Sequence, residues 1–255
     1  MGKSPYKNIL LTGASGQLGQ GIVNSGIFPR LLTPGLEDFD ITKPPILAQY
    51  FAQHEFDAVI HCAALARIVG CEKNPVQAIE TNIVGTSHLV NAVLDKENQQ
   101  KKKIRFVHIS TDGVYPCTRG RYREEDETIP YSKYGWTKLG AECAVNLLSD
   151  FCIIRTNFFD PSKQRFASSA TDLFTSKVPV NYLVNAIRIL LFSGYIGVIN
   201  VGGKRQSDYA RYKPHNPSLK PCRRVSIVRE IHTPLAEDAS LNIQRWKKIE
   251  RMGTK

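Results

Sequence analysis

The sequence has no uninterrupted apolar stretch approaching the ~18–20 residues that cross a bilayer, which argues against a membrane-spanning helix. Near Met1 there is no separate apolar segment ending in small residues. The opening MGKSPYKNILLTGASG runs straight into a strand-like NILLT, so no secretory leader is expected. None of its six cysteines (Cys62, Cys71, Cys117, Cys143, Cys152 and Cys222) forms a CxxC pair, which argues against zinc and leaves metal ligands unassigned. Several lie in apolar runs such as AVIHCAA and DFCIIRT, where a free thiol packs as a small hydrophobe, and a reduced, cytoplasmic setting is the expectation. No internal repeat or low-complexity block stands out. What is present is a hydrophobic fraction of 42% beside 22% charge over 255 residues, enough for a real core in one domain with at most a small appendage.

The charge is uneven. Residues 1–200 hold 21 Lys and Arg against 18 Asp and Glu, a net +3, whereas residues 201–255 hold 13 against 5, a net +8. A basic tail can meet an anionic ligand or nucleic acid, or can simply be a solvated surface. Of these, nucleic-acid binding is the weaker idea.

Short apolar runs alternate with longer helical stretches. Asn8–Thr12, 30–33, 57–62, 104–109, Phe151–Thr156 and Gly197–Val201 read as strands. Helices are expected from about Gly16, over 44–53, 75–94, 131–148 and 182–192, with ENQQKKK (97–103) as a polar loop. Strands that are apolar throughout and separated by helices point to a parallel sheet covered on both faces, an α/β fold. After residue 202 the pattern is poor.

The first strand ends at Thr12, and Gly13, Gly16 and Gly19 follow at GxxGxxG spacing. Gly13 allows a tight strand-to-helix turn, Gly16 lets a pyrophosphate approach the backbone, and Gly19 lets the helix pack on the strand. The helix N-terminus supplies free N–H groups and the positive end of a dipole. About 20 residues on, Glu37, Asp38 and Asp40 could place a carboxylate on a ribose 2′-OH and favour NAD, and no arginine stands ready for a 2′-phosphate.

In YSKYGWTKLGA (131–141), Tyr134 and Lys138 are four apart on one helix face. An ammonium beside the phenol would lower its pKa and make it a usable general acid/base, while also holding cofactor hydroxyls. The strand 104–109 ends in Ser110-Thr111-Asp112, at the strand end where open parallel sheets bind ligands, so Thr111 can polarise a substrate carbonyl. His61 and His108 sit in apolar strands and read as core histidines. Trp136 and Trp246 read as packing residues. Arg155 and Asn157 end a strand on the ligand side, where a substrate role and a strand-capping role are equally open.

Over residues 7–201 the chain resembles an extended short-chain dehydrogenase/reductase of the dTDP-4-dehydrorhamnose reductase branch. The resemblance is carried by TGASGQLG (12–19), DIT (40–42), HCAA (61–64), TNIVGT (81–86), HISTDGVY (108–115), YREEDE (122–127), YGWTK (134–138), IIRTN (153–157), DLFTSKVPV (172–180) and, loosely, TPLAEDASLNIQRWKKI (233–249). It implies a Rossmann-type, doubly wound parallel sheet over 1–201, with part of the substrate site at about 157–180 and a small, shortened substrate-side segment at 202–255. It implies NADPH or NADH as cofactor and a nucleotide-sugar substrate in polysaccharide biosynthesis. Tyr134 would protonate the alkoxide, Lys138 would hold the nicotinamide ribose, and Thr111 would bond the sugar carbonyl. Gly13, Gly16, Gln17 and Leu18 would carry the pyrophosphate, Asp40 and Ile41 would contact the adenine, and Cys62, Ala63 and Ala64 would line the cleft. Asp112 and Asn157 are candidate substrate contacts. Relatives often form homodimers.

The chain departs from that pattern. The stretch from Arg155 to Pro179 is short, and a helix expected after Ser207-Asp208-Tyr209 meets Lys213-Pro214 and Pro217. Ile68-Val69-Gly70-Cys71-Glu72 keeps only the glutamate of a usual V-D-x-x-E. Two other functions therefore stand beside a 4-keto nucleotide-sugar reductase: an epimerase or dehydratase with bound NAD, and a cofactor-binding regulatory subunit without turnover. Asp112 followed by Gly113 lacks the acid pair of the dehydratase kind.

Overall fold

The computed structural model describes residues 6–163 and 166–253. The chain begins β1 (Asn8–Thr12), α1 (Gln17–Ser25), β2 (Arg30–Leu32), α2 (Pro44–Gln53), β3 (Ala58–His61), α3 (Ile68–Lys73) and α4 (Pro75–Ala78). A π-helical turn (Ile79–Val84) leads into α5 (Gly85–Gln100), followed by β4 (Arg105–Thr111), α6 (Lys133–Val145) and β5 (Phe151–Thr156). Then come the short strands β6 (Phe158–Phe159), β7 (Ser168–Ala170), β8 (Phe174–Thr175) and β9 (Val178–Pro179), and α7 (Val180–Phe192). The chain closes with β10 (Gly197–Val201), β11 (Gln206–Ser207), α8 (Asp208–Tyr212), β12 (Lys220–Cys222), α9 (Arg224–Ile231) and α10 (Gln244–Gly253).

Six strands form the central sheet in the order β10-β5-β4-β3-β1-β2, and every pairing is parallel. The chain leaves β1 for β2 on one side and returns to β3 on the other, so a topological switch point opens between β1 and β3. Alternate strand residues feed two apolar layers. Leu11, Ile60, Val107 and Ile154 meet α1 and α7 on one face. Leu10, Val59, Phe106 and Ile153 meet α2 and α5 on the other. This is the doubly wound sheet that the apolar runs imply.

Three local differences from the sequence pattern have physical causes. The helical period over 75–94 is interrupted by the π turn, where buried Asn82 bonds Leu65 and Thr137 instead of following a regular helix face. The polar run from Glu97 continues α5 to Gln100, because Glu97 accepts from the Ile104 amide and Lys96 donates to the Phe51 carbonyl, both inside the protein. Trp136 is not a core residue: it is 53% exposed, whereas Trp246 is wholly buried under α7.

Beyond β10 the chain is tied down by hydrogen bonds far apart in sequence. β7 pairs with β12 and β8 with β11. The segment 237–242 threads between the loop after β4 and β8: the Glu237 and Asp238 amides donate to Cys117, Ala239 to Phe174, and Asn242 to Tyr122. Among the described residues no helix is long and apolar enough to cross a membrane.

Candidate active site

The glycine loop spans the β1–α1 junction. Gly13 has φ +71°, and a Cβ there would stand 2.6 Å from the Ala63 nitrogen. A Cβ at Gly19 would stand 2.2 Å from the Gly13 carbonyl oxygen, so both positions demand glycine for close approach. Gly16 is different: it is exposed, and a Cβ would meet only the Gly13 oxygen at 3.3 Å. No side chain caps α1, so its first-turn amides face outward.

A cavity of about 1290 Å³ runs from this loop across the switch point. Gly13, Gly16, Asp40, Ile41, Cys62, Ala63 and Ala64 all line it, with Lys43, Lys73 and Glu80 farther along. Gln17 and Leu18 do not line it. Gln17 is exposed at the first turn of α1, and the Leu18 side chain is buried with Ile22 in the core, so Leu18 has only its backbone amide to offer. Glu37 and Asp38 are exposed and away from the cavity. Asp40 does line it, but one carboxylate oxygen accepts from the Thr42 amide and hydroxyl at 2.9 and 2.7 Å, and the other faces Lys43 at 3.6 Å. These features fit a dinucleotide: an open helix N-terminus for the pyrophosphate, a floor without bulky side chains at Ala63 and Ala64, and a far rim bearing lysines.

Thr111 closes β4 and Tyr134 opens α6. Ser132 caps α6 by accepting from the Gly135 amide. A Cβ at Gly135 would lie 2.3 Å from the Gly113 oxygen, so glycine lets the first turn of α6 press against the end of β4. That contact brings Tyr134 within hydrogen-bonding reach of Thr111. The Thr111 hydroxyl donates to Asp112 at 3.2 Å, and the Asn157 amide donates to both Asp112 oxygens. Burial pushes the Asp112 carboxyl up to about 6, against the pull of Asn157 and Lys177.

The electrostatics of the Tyr–Lys pair differ from expectation. Burial, followed by the Asp112 charge, pushes the Tyr134 phenol above its ordinary value, and Lys138 does not lower it. Lys138 instead directs its Nζ to His108 Nε2 at 3.2 Å, and burial brings its ammonium down to about 8. Lys138, Thr111 and Tyr134 do not line the large cavity. Cys62 joins the two regions: it lines the cavity, and the Lys138 charge reaches its thiol, which burial raises to about 12.

Four participants escaped the sequence reading. Asn82 ties the cleft residue Leu65 to Thr137, next to Lys138. Glu142, one turn beyond Lys138, accepts from Ser110 and from Arg155 at 2.7 Å, a buried network that resolves Arg155 as a scaffold residue. Lys177 pairs with Asp208 at 2.9 Å at the edge of a second cavity of about 660 Å³, also lined by Phe159, Lys204, Arg211 and Lys247. His108 is the fourth. Asn82, Lys177 and His108 lie inside the motifs TNIVGT, DLFTSKVPV and HISTDGVY, but their partners stand far away in sequence, so nothing local gave them these contacts.

Known proteins are similar to this chain in sequence and in fold. The chain is 34% identical over 163 residues to the probable low-salt glycan biosynthesis reductase Agl14 of Haloferax volcanii, covering 58% of this chain and 52% of that one. It is 32% identical over 146 residues to dTDP-4-dehydrorhamnose reductase of Mycobacterium tuberculosis, covering 54% and 45%. The chain thus spans about half the length of these curated relatives. The crystal structure of dTDP-4-dehydrorhamnose reductase from Bacillus anthracis in complex with NADP superposes with a TM-score of 0.85 at 20% identity, over 95% of this chain and 92% of that one. The model of the RmlD substrate binding domain matches residues 7–184, so this chain, with its glycine cleft and its Thr111–Tyr134 contact at the sheet's carboxyl edge, belongs to that family.

Proposed function

We propose that the protein is an NAD(P)H-dependent reductase of a 4-keto nucleotide sugar. The observation that carries this reading is the dinucleotide-sized cleft behind the glycine loop, with Thr111 and Tyr134 in reach of each other at the end of β4 and Lys138 one turn along α6, its charge reaching the cleft residue Cys62. The relatives named as reductases support it.

Gly13, Gly16 and the first amides of α1 would hold the pyrophosphate, Asp40 and Ile41 would lie at the adenine, and Ala63 and Ala64 would floor the cleft. When bound, the nicotinamide supplies a hydride. The residues then divide the remaining work. Thr111 would turn its one hydroxyl proton from Asp112 to the substrate carbonyl and polarise it. Tyr134 is fully protonated at neutral pH, because burial and Asp112 disfavour its phenolate. It is therefore equipped as a donor, passing its proton to the alkoxide oxygen as charge develops. Lys138, buried behind Cys62 of the cleft, would supply the positive charge that anchors ribose hydroxyls. Lys177, Lys204, Arg211 and Lys247 in the second cavity offer positive charge to a nucleotide diphosphate.

The rim admits NADPH or NADH: Asp40 is engaged by Thr42 and Lys43, and Lys73 and Glu80 both line the cleft. In the assay, added NADPH is consumed in proportion to a 4-keto dTDP-sugar. Tyr134→Phe lowers the rate by about 10²–10⁴-fold, the usual worth of a general acid. A Phe variant with full activity removes the assignment. Turnover on a retained cofactor without net NADPH loss replaces the reductase by an epimerase or dehydratase, and tight NADPH binding with no turnover across a nucleotide-sugar panel replaces it by a regulatory subunit. A homodimer and a cytoplasmic setting complete the proposal.

A further inference from the structure

His108 lies in the middle of β4, wholly buried, with no part in the chemistry described above. The side chains of His108 and Ser110 point to the face covered by α6. Residues two apart on a strand are separated by about 6.6–6.8 Å, and residues four apart on a helix by about 6 Å along its axis. The two spacings match, so His108 meets Lys138 while Ser110 meets Glu142. Both pairs are buried.

Among the described residues, the bond to His108 is the one hydrogen bond found for Lys138 Nζ. An ammonium has donors and no lone pair, so Nε2 accepts and the ring proton resides on Nδ1. Nδ1 is buried and has no protein hydrogen-bond partner among the described residues, so Nε2 carries the ring's bond to the protein. Other ionisable groups face Lys138 without replacing that lone pair. Glu142 on its own helix favours its charge, but both Glu142 oxygens accept from Arg155 on β5. From β3 come Cys62 and His61, and the His61 nitrogens contact Thr12 and Thr86. Burial, aided by the Lys138 charge, holds His108 neutral, so the proton stays on the lysine.

We infer that His108 is a positioning residue for Lys138: its Nε2 lone pair anchors the ammonium to β4 and thereby sets where Nζ stands behind Cys62 of the cleft. The importance of that position rests on the dinucleotide reading, but the anchorage itself can be measured without any ligand.

Ring-¹⁵N histidine spectra and ¹³C-lysine titrations of the whole chain provide the test. From pH 5 to 7, where Lys138 is an ammonium, His108 shows the Nδ1-protonated neutral tautomer. His108→Leu removes the acceptor and moves the Lys138 titration down by about one pH unit, the scale of one charge-assisted hydrogen bond. His108→Gln, whose side-chain oxygen can reach a similar point, restores at least half of that shift. NADPH titrations follow the same order: the alkaline loss of affinity begins about one pH unit lower in the Leu variant and returns toward the wild-type position in the Gln variant. The inference is overturned if Lys138 titrates identically in the wild type and His108→Leu, or if His108 carries its proton on Nε2. Should the Leu variant not fold, the wild-type tautomer and the Gln comparison decide it. Normal spectra with no NADPH binding by the wild type would refute the dinucleotide reading and leave the anchorage intact.

Discussion

Replacing Gly16 by alanine separates what the glycine loop does for the fold from what it does for a ligand. Gly16 has φ −72° and ψ 166°, a conformation any residue adopts, and its added Cβ meets one atom at 3.3 Å. The structure can absorb that contact with a shift of a few tenths of an ångström, so folding stability should change by less than about 0.5–1 kcal/mol, as for ordinary exposed substitutions. A pyrophosphate riding over Gly16 cannot share the space with a methyl group. It must withdraw from the α1 amides, losing charge-assisted hydrogen bonds worth about 1.5–3 kcal/mol. At 1.4 kcal/mol per decade this is a loss of about 10–150-fold in NADPH affinity. Fluorescence titration with NADPH, run beside a thermal melt, reads both quantities. Gly13→Ala is the contrasting variant: its φ of +71° and its 2.6 Å approach to Ala63 make it destabilising whether or not ligand is present. The reasoning fails if Gly16→Ala binds NADPH as tightly as the wild type while melting normally.

Three further outcomes are expected. Gly135→Ala drives a Cβ into the Gly113 carbonyl, displaces the start of α6 from β4, and costs most of the turnover with a smaller loss of stability, read by paired activity and urea curves. Glu142→Ala leaves Arg155 charged and buried, costing about 3–5 kcal/mol, or about 6–20 °C in Tm for a chain of this size. The double variant with Arg155→Met recovers most of that loss, and equal melting of single and double variants would contradict the assignment. Asp112 has a folded-state pKa raised from 3.8 to about 6, so the native state holds that proton more tightly than the unfolded chain. Its contribution is full below about pH 4 and is lost as pH rises through about 6. Asp112→Asn should therefore flatten the pH dependence and match or exceed wild-type stability at pH 8 by about 1–3 kcal/mol, while a parallel pH profile of the two proteins in urea melts would exclude it.

The sequence pattern made the sheet legible because each strand announces itself locally. Residues such as Ile9–Leu11, Ala58–Ile60 and Phe151–Ile154 are buried on both faces, so they appear as continuous apolar runs. The glycine loop was legible for the same reason: its spacing encodes one turn and one close approach. The small lobe built from β7, β8, β11 and β12 was not, because its strands are two or three residues long and pair across 31 to 52 residues, as with Phe174 and Ser207 or Ser168 and Lys220. No periodicity survives at that length. The π turn escaped for a related reason, since Asn82 is placed by partners at 65 and 137 that a window around residue 82 never contains.

The electrostatics around Tyr134 and Lys138 were hidden at a deeper level. The Tyr134–Lys138 spacing correctly puts two side chains on one helix face, but a helix face offers several directions. Which neighbour Lys138 meets is decided by the register of α6 on β4, and that register is fixed by the second rung, where Glu142 is held by Ser110 and Arg155. The buried ion pair thus does more than cross-link three elements. Sliding α6 by one residue would strip Arg155 of its carboxylate and Lys138 of its acceptor together, leaving two uncompensated buried cations, each worth several kcal/mol. A stability device and a functional position are therefore the same ladder, with the strand motif His-x-Ser read against the helix motif Lys-x-x-x-Glu, and neither motif has meaning until the other is laid across it.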